Sequence, residues 1–265
     1  MQGGIWLTDR CFWAIKQPMQ NAKNITILAA FWDNYVYLVK HSPGQCFAVD
    51  PGDAKPVLDA LKRLQLRLTH ILITHHHADH IGGVGTLKQR TGCQVISTDD
   101  KRIAGTDTVM GDGDTTGLGD VTIRCIATPG HTTTSVCYFV SGDSLTQPVL
   151  FTGDTLFVCG CGRLFECDGQ TMFQSLKKLA ALADETLVYP GHNYTEENVR
   201  FAMTLEPGKK PLQKKLSEVQ MQNQRGHGPP YTVPSVLGEE KQLNPFLRAK
   251  DWQTFVSLRR KKDRF

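Results

Sequence analysis

The 265-residue chain contains no run of about 18 consecutive apolar residues, which excludes a transmembrane helix. Its eight cysteines, at positions 11, 46, 93, 125, 137, 159, 161 and 167, are too sparse for a disulfide framework. Reduced thiols in an intracellular protein are expected. Internal repeats and low-complexity tracts are missing. So is the interleaving of basic and aromatic residues that marks a nucleic-acid surface. The N-terminal stretch MQGGIWLTDRCFWAIKQPMQNAKN lacks the long apolar core of a secretory signal. With one acid, Asp9, and three bases, Arg10, Lys16 and Lys23, it reads as a loosely ordered extension or a degraded organelle-targeting segment. Cytosol and mitochondrion both stay open.

What is present is ordinary for a globular protein: 40% apolar and 21% charged residues. The net charge of +4 is uneven. Residues 206–265 carry 13 Lys and Arg against 6 Asp and Glu, a surplus of +7, and the remainder sums to −3. A basic tail suits an anionic partner, and a small anionic substrate is favoured over nucleic acid.

Strand-like runs recur up to about Tyr189: ITILAAF, YVYLV, FAVD, HILIT, VTIRCIATPG, VCYFV, PVLFTGD and TLVYPG. Between them, Val57, Leu58, Leu61 and Leu64 fall on one helical face, as do Met172, Phe173, Leu176 and Leu179. Sheets covered by helices are expected. After about Met203 the strand signals stop. A polar helix, a Pro-rich loop and a terminal helix with Trp252, Phe255 and Leu258 inward are expected. The expected division is an N-terminal extension (1–24), a larger domain of sheets and helices (25–205) and a small helical domain (206–265), which the resemblance given below casts as catalytic and substrate-binding.

The stretch ILITHHHADHIGG sets four histidines and an aspartate at the end of a strand. In extended chain, alternate residues face one way, so His75 and His77 converge. Asp79 and His80 reach a second point around the turn. Two other readings compete. One is a chance surface run. The other is a helical His76–His80 pair as in zinc peptidases, which needs a Glu where His77 stands. Three further stretches share one design of strand, tight turn and one donor: ATPGH ending in His131, FTGD ending in Asp154 and YPGH ending in His192. Seven donors exceed the four that one zinc takes. They suit two divalent metals: His75, His77 and His131 on the first, Asp79, His80 and His192 on the second, and Asp154 bridging. His76 is read as non-ligating. The donor set admits zinc, with iron or manganese as alternatives.

In this order and spacing, THHHADH, TPGH, FTGDTLF and PGHNYT resemble the metallo-β-lactamase superfamily. The resemblance implies an α+β fold, an αββα sandwich with the metals at one edge and a small C-terminal helical domain. FTGDTLFVCGCGRLFE, SVLGEEKQLNPFLR and the terminal LRRKKD resemble the glyoxalase II family, the hydroxyacylglutathione hydrolases. That resemblance implies hydrolysis of S-lactoylglutathione, with Asp79 and Asp154 serving a hydroxide held between the metals. It places the glutathione contacts on Arg163, Tyr194, Arg259 and Lys262. Arg163 stands where the family commonly has Lys, and Phe165 where it often has Tyr. For Arg259 and Lys262 the competing reading is a solvated charge run. Cys161 is read as packing and Cys159 as incidental. Alternatives are a mononuclear iron enzyme resembling persulfide dioxygenases, a β-lactamase, and a catalytically divergent regulatory relative that binds partners. A monomer is expected, with a glutathione thioester as its partner and no nucleic acid or membrane.

Overall fold

The structure, a computed structural model, describes residues 24–224 and 232–265. The N-terminal extension up to residue 23 and the first part of the Pro-rich loop lie outside the described residues.

Two six-stranded sheets are stacked face to face. The first runs β1 (Ile25–Ala30), β2 (Asn34–Ser42), β3 (Gln45–Val49), β4 (Arg67–Leu72), β5 (Gln94–Ser97) and β6 (Thr108–Val109) in that order. The second runs β7 (Thr115–Leu118), β8 (Val121–Ala127), β9 (Val136–Gly142), β10 (Val149–Gly153), β13 (Leu187–Pro190) and β14 (Ser235–Val236). A small hairpin, β11 (Leu156–Phe157) and β12 (Gly160–Cys161), follows β10.

Strand β2 shows why the layers form. Its residues Tyr35, Tyr37 and Val39 join the core between the sheets, while Val36 and Leu38 join the core beneath the outer helices. A strand buried on both faces reads as one apolar run, and the period of two sorts its side chains. Strand β10 behaves alike: Val149 and Phe151 face the other sheet, and Leu150 faces the helices.

Helices α1 (Ala54–Leu64) and α3 (Val84–Thr91) cover the first sheet, with Val57, Leu61, Val84 and Leu87 buried. Helix α4 (Gly169–Ala180) covers the second, burying Met172, Phe173, Leu176 and Leu179. The result is the expected αββα order. Asp168 caps α4 by accepting from the Thr171 amide at 2.8 Å, which satisfies one of the helix's free N-terminal donors.

The C-terminal segment packs onto this sandwich. Leu212 of α6 (Lys210–Gln224) and Leu243 of α7 (Leu237–Leu243) enter the inter-sheet core. Leu237, Phe246, Leu247 and Phe255 enter the outer core with α4. Two expectations need correction here. Strand pairing does continue past Met203, because β14 pairs with β13. In α8 (Trp252–Lys262), Trp252 is not inward: it sits in the first turn, 39% exposed. The buried stripe is Phe255, Arg259 and Lys262, spaced i, i+4, i+7, and Leu258 is partly buried against the same core as Phe255.

Strand direction positions the site. Strands β8, β10 and β13 run the same way, since β9 is antiparallel to both β8 and β10, and β10 is parallel to β13. Their C-terminal ends therefore open on one rim. The parallel pair β3 and β4 leads into Asp50 and residues 73–75, and the Val136 amide donates to Thr74 O at 2.9 Å, joining the two sheets at that rim.

Candidate metal centre and substrate cleft

Each candidate ligand leaves the end of a strand. His75 follows β4 by three residues. His77 is still extended (φ −62, ψ 143) and precedes the single helical turn α2 (Ala78–Ile81), which turns Asp79 and His80 inward. The zinc-peptidase spacing fails because His76 lies before that turn. Two glycines permit the crowding. A Cβ on Gly83 would lie 2.5 Å from Pro51 O, and one on Gly191 would lie 2.6 Å from Asp154 Oδ1.

The donor atoms fall into the two expected triads. Those of His75, His77 and His131 lie within 4.8 Å of one another, as do those of Asp79, His80 and His192. Asp154 reaches both: its carboxylate oxygens lie 3.4 Å from His80 Nε2, His131 Nε2 and His192 Nε2. A third grouping, Asp50 with His75 and His80, also satisfies the distance limit. Asp50 is better placed as an orienting group. It accepts from Thr74 N at 2.8 Å, Thr74 Oγ1 at 2.6 Å and His80 Nδ1 at 3.0 Å, leaving little capacity for a cation.

These outer contacts set the imidazole tautomers. His80 Nδ1 donates to Asp50, His192 Nδ1 to Asp33 at 3.0 Å, His131 Nδ1 to the Arg163 carbonyl at 2.9 Å, and His75 Nδ1 to Thr74 Oγ1 at 3.1 Å. Every Nε2 of these rings then turns a lone pair inward, the arrangement that carboxylate- or carbonyl-backed metal ligands adopt. His80 Nε2 and His192 Nε2 lie 3.2 Å apart, and His131 Nε2 and His77 Nδ1 lie 3.1 Å apart. His75 Nε2 and Asp154 Oδ1 are buried with no hydrogen-bond partner. Facing lone pairs and orphaned buried acceptors are costly unless a cation lies between them. The donor set therefore fits divalent metal.

The electrostatics agree. Burial holds the His75 pKa well below its ordinary value, which keeps the ring neutral. Burial opposes the charge on Asp154, but His80 and His192 overrule it and hold the carboxyl well below the usual range. Burial alone would lower His192, yet Asp154, Asp79 and Asp33 push it up to about 11. The carboxylates thus draw positive charge inward, a demand that a divalent cation meets while freeing the imidazole to ligate.

His76 turns to the outside, where its Nε2 lies 3.5 Å from Glu166 Oε1, and it belongs to neither triad. Phe165, 63% exposed, sets its ring edge-on to His77 and His131 at 5.7 and 5.1 Å.

A cleft of about 300 Å³ opens from His131 and Asp154 and is lined by Phe157, Arg163, Tyr194, Arg259 and Lys262 among others. All four expected glutathione contacts thus share one cavity. Arg259 and Lys262 are not a solvated run, being only 5% and 9% exposed. Arg259 Nη1 donates to Cys161 O at 2.8 Å, and Nη2 pairs with Asp263 at 2.9 Å. Lys262 pairs with Glu197. Tyr194 stacks on His192 with centroids 4.9 Å apart, and burial pushes its phenol above the ordinary value, so it remains a hydrogen-bond donor. Cys161 lines the cleft, and burial pushes its thiol up to about 11. Cys159 is buried too, at φ 53, and its amide donates to Glu240 at 2.7 Å.

Sequence reasoning missed Asp33, Asn34, Asp50, Thr74 and Glu197. Asn34 Nδ2 donates to Asp79 Oδ2 at 2.9 Å. A signal for Asp50 existed: FAVDPG repeats the strand, turn and polar-tip design of the ligand loops.

Comparison with known proteins agrees with this geometry. The metallo-beta-lactamase superfamily profile matches residues 30–192, and the hydroxyacylglutathione hydrolase C-terminus profile matches 193–265. The hydroxyacylglutathione hydrolase of Methylococcus capsulatus is 43% identical over 251 residues, 88% of this chain and 95% of that protein. That of Rhodospirillum rubrum is 43% identical over 255 residues, 90% and 97% of the two chains. Among solved structures, ETHE1 from Myxococcus xanthus superposes with a TM-score of 0.66 at 29% identity, covering 89% of each chain. Because the hydroxyacylglutathione hydrolases match the chain nearly end to end, and their C-terminal profile covers the helix that supplies Arg259 and Lys262, the chain belongs to the hydroxyacylglutathione hydrolase family of the metallo-β-lactamase superfamily.

Proposed function

We propose that this chain hydrolyses S-2-hydroxyacylglutathione, typically S-lactoylglutathione, to a 2-hydroxy acid and glutathione. One observation carries the reading: a single cleft runs from Asp154 and His131 to Arg163, Arg259 and Lys262. An acyl group at the donor cage thereby lies within one cavity of cations suited to a peptide carrying two carboxylates.

His75, His77 and His131 would hold one divalent ion, Asp79, His80 and His192 the other, and Asp154 both. Zinc is the first choice for this nitrogen and oxygen set, and iron and manganese also suit it. When bound, such ions lower the pKa of water to about 7 and polarise a carbonyl. The chain's own residues do the rest. Asp79, its side chain 42% exposed at the mouth of the cage, orients the attacking water. Asp50, Asp33 and Thr74 fix the imidazoles. Tyr194 donates into the cleft, and Phe157 and Phe165 restrict water around the thioester. The leaving group is a thiol with an ordinary pKa of about 8.5, so it departs as thiolate without a general acid.

One chain contains every residue this scheme needs, which supports action as a monomer. The seven described cysteines are free thiols, which suits the reducing cytoplasm. Among the described residues no helix is long and apolar enough to cross a membrane.

The test is thiol release from S-lactoylglutathione by purified, metal-loaded protein, read with a thiol reagent beside metal content. Release of one thiol per lactate formed is expected. Two metals per chain with no thiol release would favour the regulatory reading. One iron with oxygen consumption on a glutathione persulfide would favour the dioxygenase reading.

A further inference from the structure

The proposed cations of the cleft are not equally free. Arg163 is exposed and has no ion-pair partner among the described residues. Arg259 is held by Asp263 and the Cys161 carbonyl. Lys262 is held differently. Its side chain is 7% exposed, lying 5.8 Å from the Phe201 ring centroid and 5.1 Å from that of Phe265, and its ammonium pairs with Glu197. Glu197 itself lines the same cleft and is 62% exposed. One partner is fixed and buried, and the other stands mostly in water.

A buried ammonium needs a carboxylate, and the second can come from the chain or from a ligand. We infer that Glu197 is a resident competitor for the substrate's carboxylate at Lys262, and so sets the affinity of the cleft for glutathione-bearing molecules. Binding exchanges one carboxylate for another: Glu197 swings into solvent, and a carboxylate of the ligand takes its place on Lys262. The ammonium is never left unpaired, and the exchange gains less than filling an empty cationic seat. Glu197 thereby lowers affinity for carboxylate-bearing thiols while leaving thiols with no free carboxylate unaffected. The opposite arrangement, in which Glu197 accepts the ligand's ammonium, predicts the opposite sign on removing its charge.

The inference rests on reading the cleft as a glutathione site, so the test separates binding from turnover. Reduced glutathione is titrated into the metal-loaded wild type and the Glu197→Gln variant by calorimetry, with glutathione diethyl ester, which has no free carboxylate, as the control. Glu197→Gln is expected to bind glutathione about two- to fivefold more tightly, the upper part of the range for a partly exposed ion pair. The diethyl ester should bind both proteins alike. In a Lys262→Met background the Glu197 substitution should have no effect on glutathione binding. Unchanged or weaker glutathione binding by Glu197→Gln, or an equal gain for the diethyl ester, would overturn the inference. Failure of the wild type to cleave S-lactoylglutathione would sink the hydrolase reading, and the glutathione titration would still decide the exchange.

Discussion

Asp154→Ala is expected to lower kcat about a thousandfold, roughly 4 kcal/mol of transition-state stabilisation, and to reduce metal content from two per chain to one or fewer. The reason is position. Asp154 lies at the end of β10, and its oxygens are 3.4 Å from an imidazole nitrogen of His131 in one triad and of His80 and His192 in the other. Asp50 also neighbours His75 and His80, but its oxygens are taken by Thr74 N, Thr74 Oγ1 and His80 Nδ1. Removing Asp154 takes away the shared donor and the negative charge that balances two cations. Alanine also leaves His80 Nε2 and His192 Nε2, 3.2 Å apart, without the carboxylate between the triads. Asp154→Asn keeps the volume and one oxygen but loses the charge, and should fall between alanine and wild type. Metal analysis, steady-state thiol release and circular dichroism distinguish loss of chemistry from loss of fold. Turnover that survives unchanged in Asp154→Ala would remove the bridging role.

Stripping the metal with a strong chelator should abolish thiol release and lower Tm, and restoring zinc should recover both. A ligand at 100 times its Kd stabilises the native state by about 2.7 kcal/mol per site. At about 2–4 °C per kcal/mol for a chain of this size, two filled sites correspond to roughly 10 °C or more. The direction follows from the donor geometry. The rings of His80, His131 and His192 are held from behind by Asp50, the Arg163 carbonyl and Asp33, so their inward lone pairs stay gathered. A cation turns that mutual repulsion into ligation, and its removal returns the cost to the fold. An activity and a Tm both insensitive to chelation would mean that the cage is not the reaction centre.

Much of this site is legible in sequence because each ligand is set by a local device. A strand, a tight turn and a donor fit within about ten residues, and four such devices share one design. The partners that aim the ligands are not local. Asp33 reaches His192 across 159 positions and Asp50 reaches His80 across 30, so no spacing announces them. The terminal helix misleads for a different reason. Beside the glutathione contacts that the resemblance implies, RRKKD also admits a solvated charge run, and Trp252 reads as a core anchor. Yet Arg259 and Lys262 continue the stripe of Phe255 and find the Cys161 carbonyl, Asp263 and Glu197 waiting. Burial of charge is decided by what lies opposite, which hydrophobic periodicity does not record. Strands such as β6 and β14, with two residues each, are too short to show any period.

Anomalous diffraction from crystals of the purified protein, recorded at the absorption edge of its bound metal, addresses the two-cation cage most directly. Two peaks are predicted on either side of the Asp154 carboxylate, one against His75, His77 and His131 and the other against Asp79, His80 and His192. A lone peak at a single triad, or no peak within reach of Asp154, would contradict it.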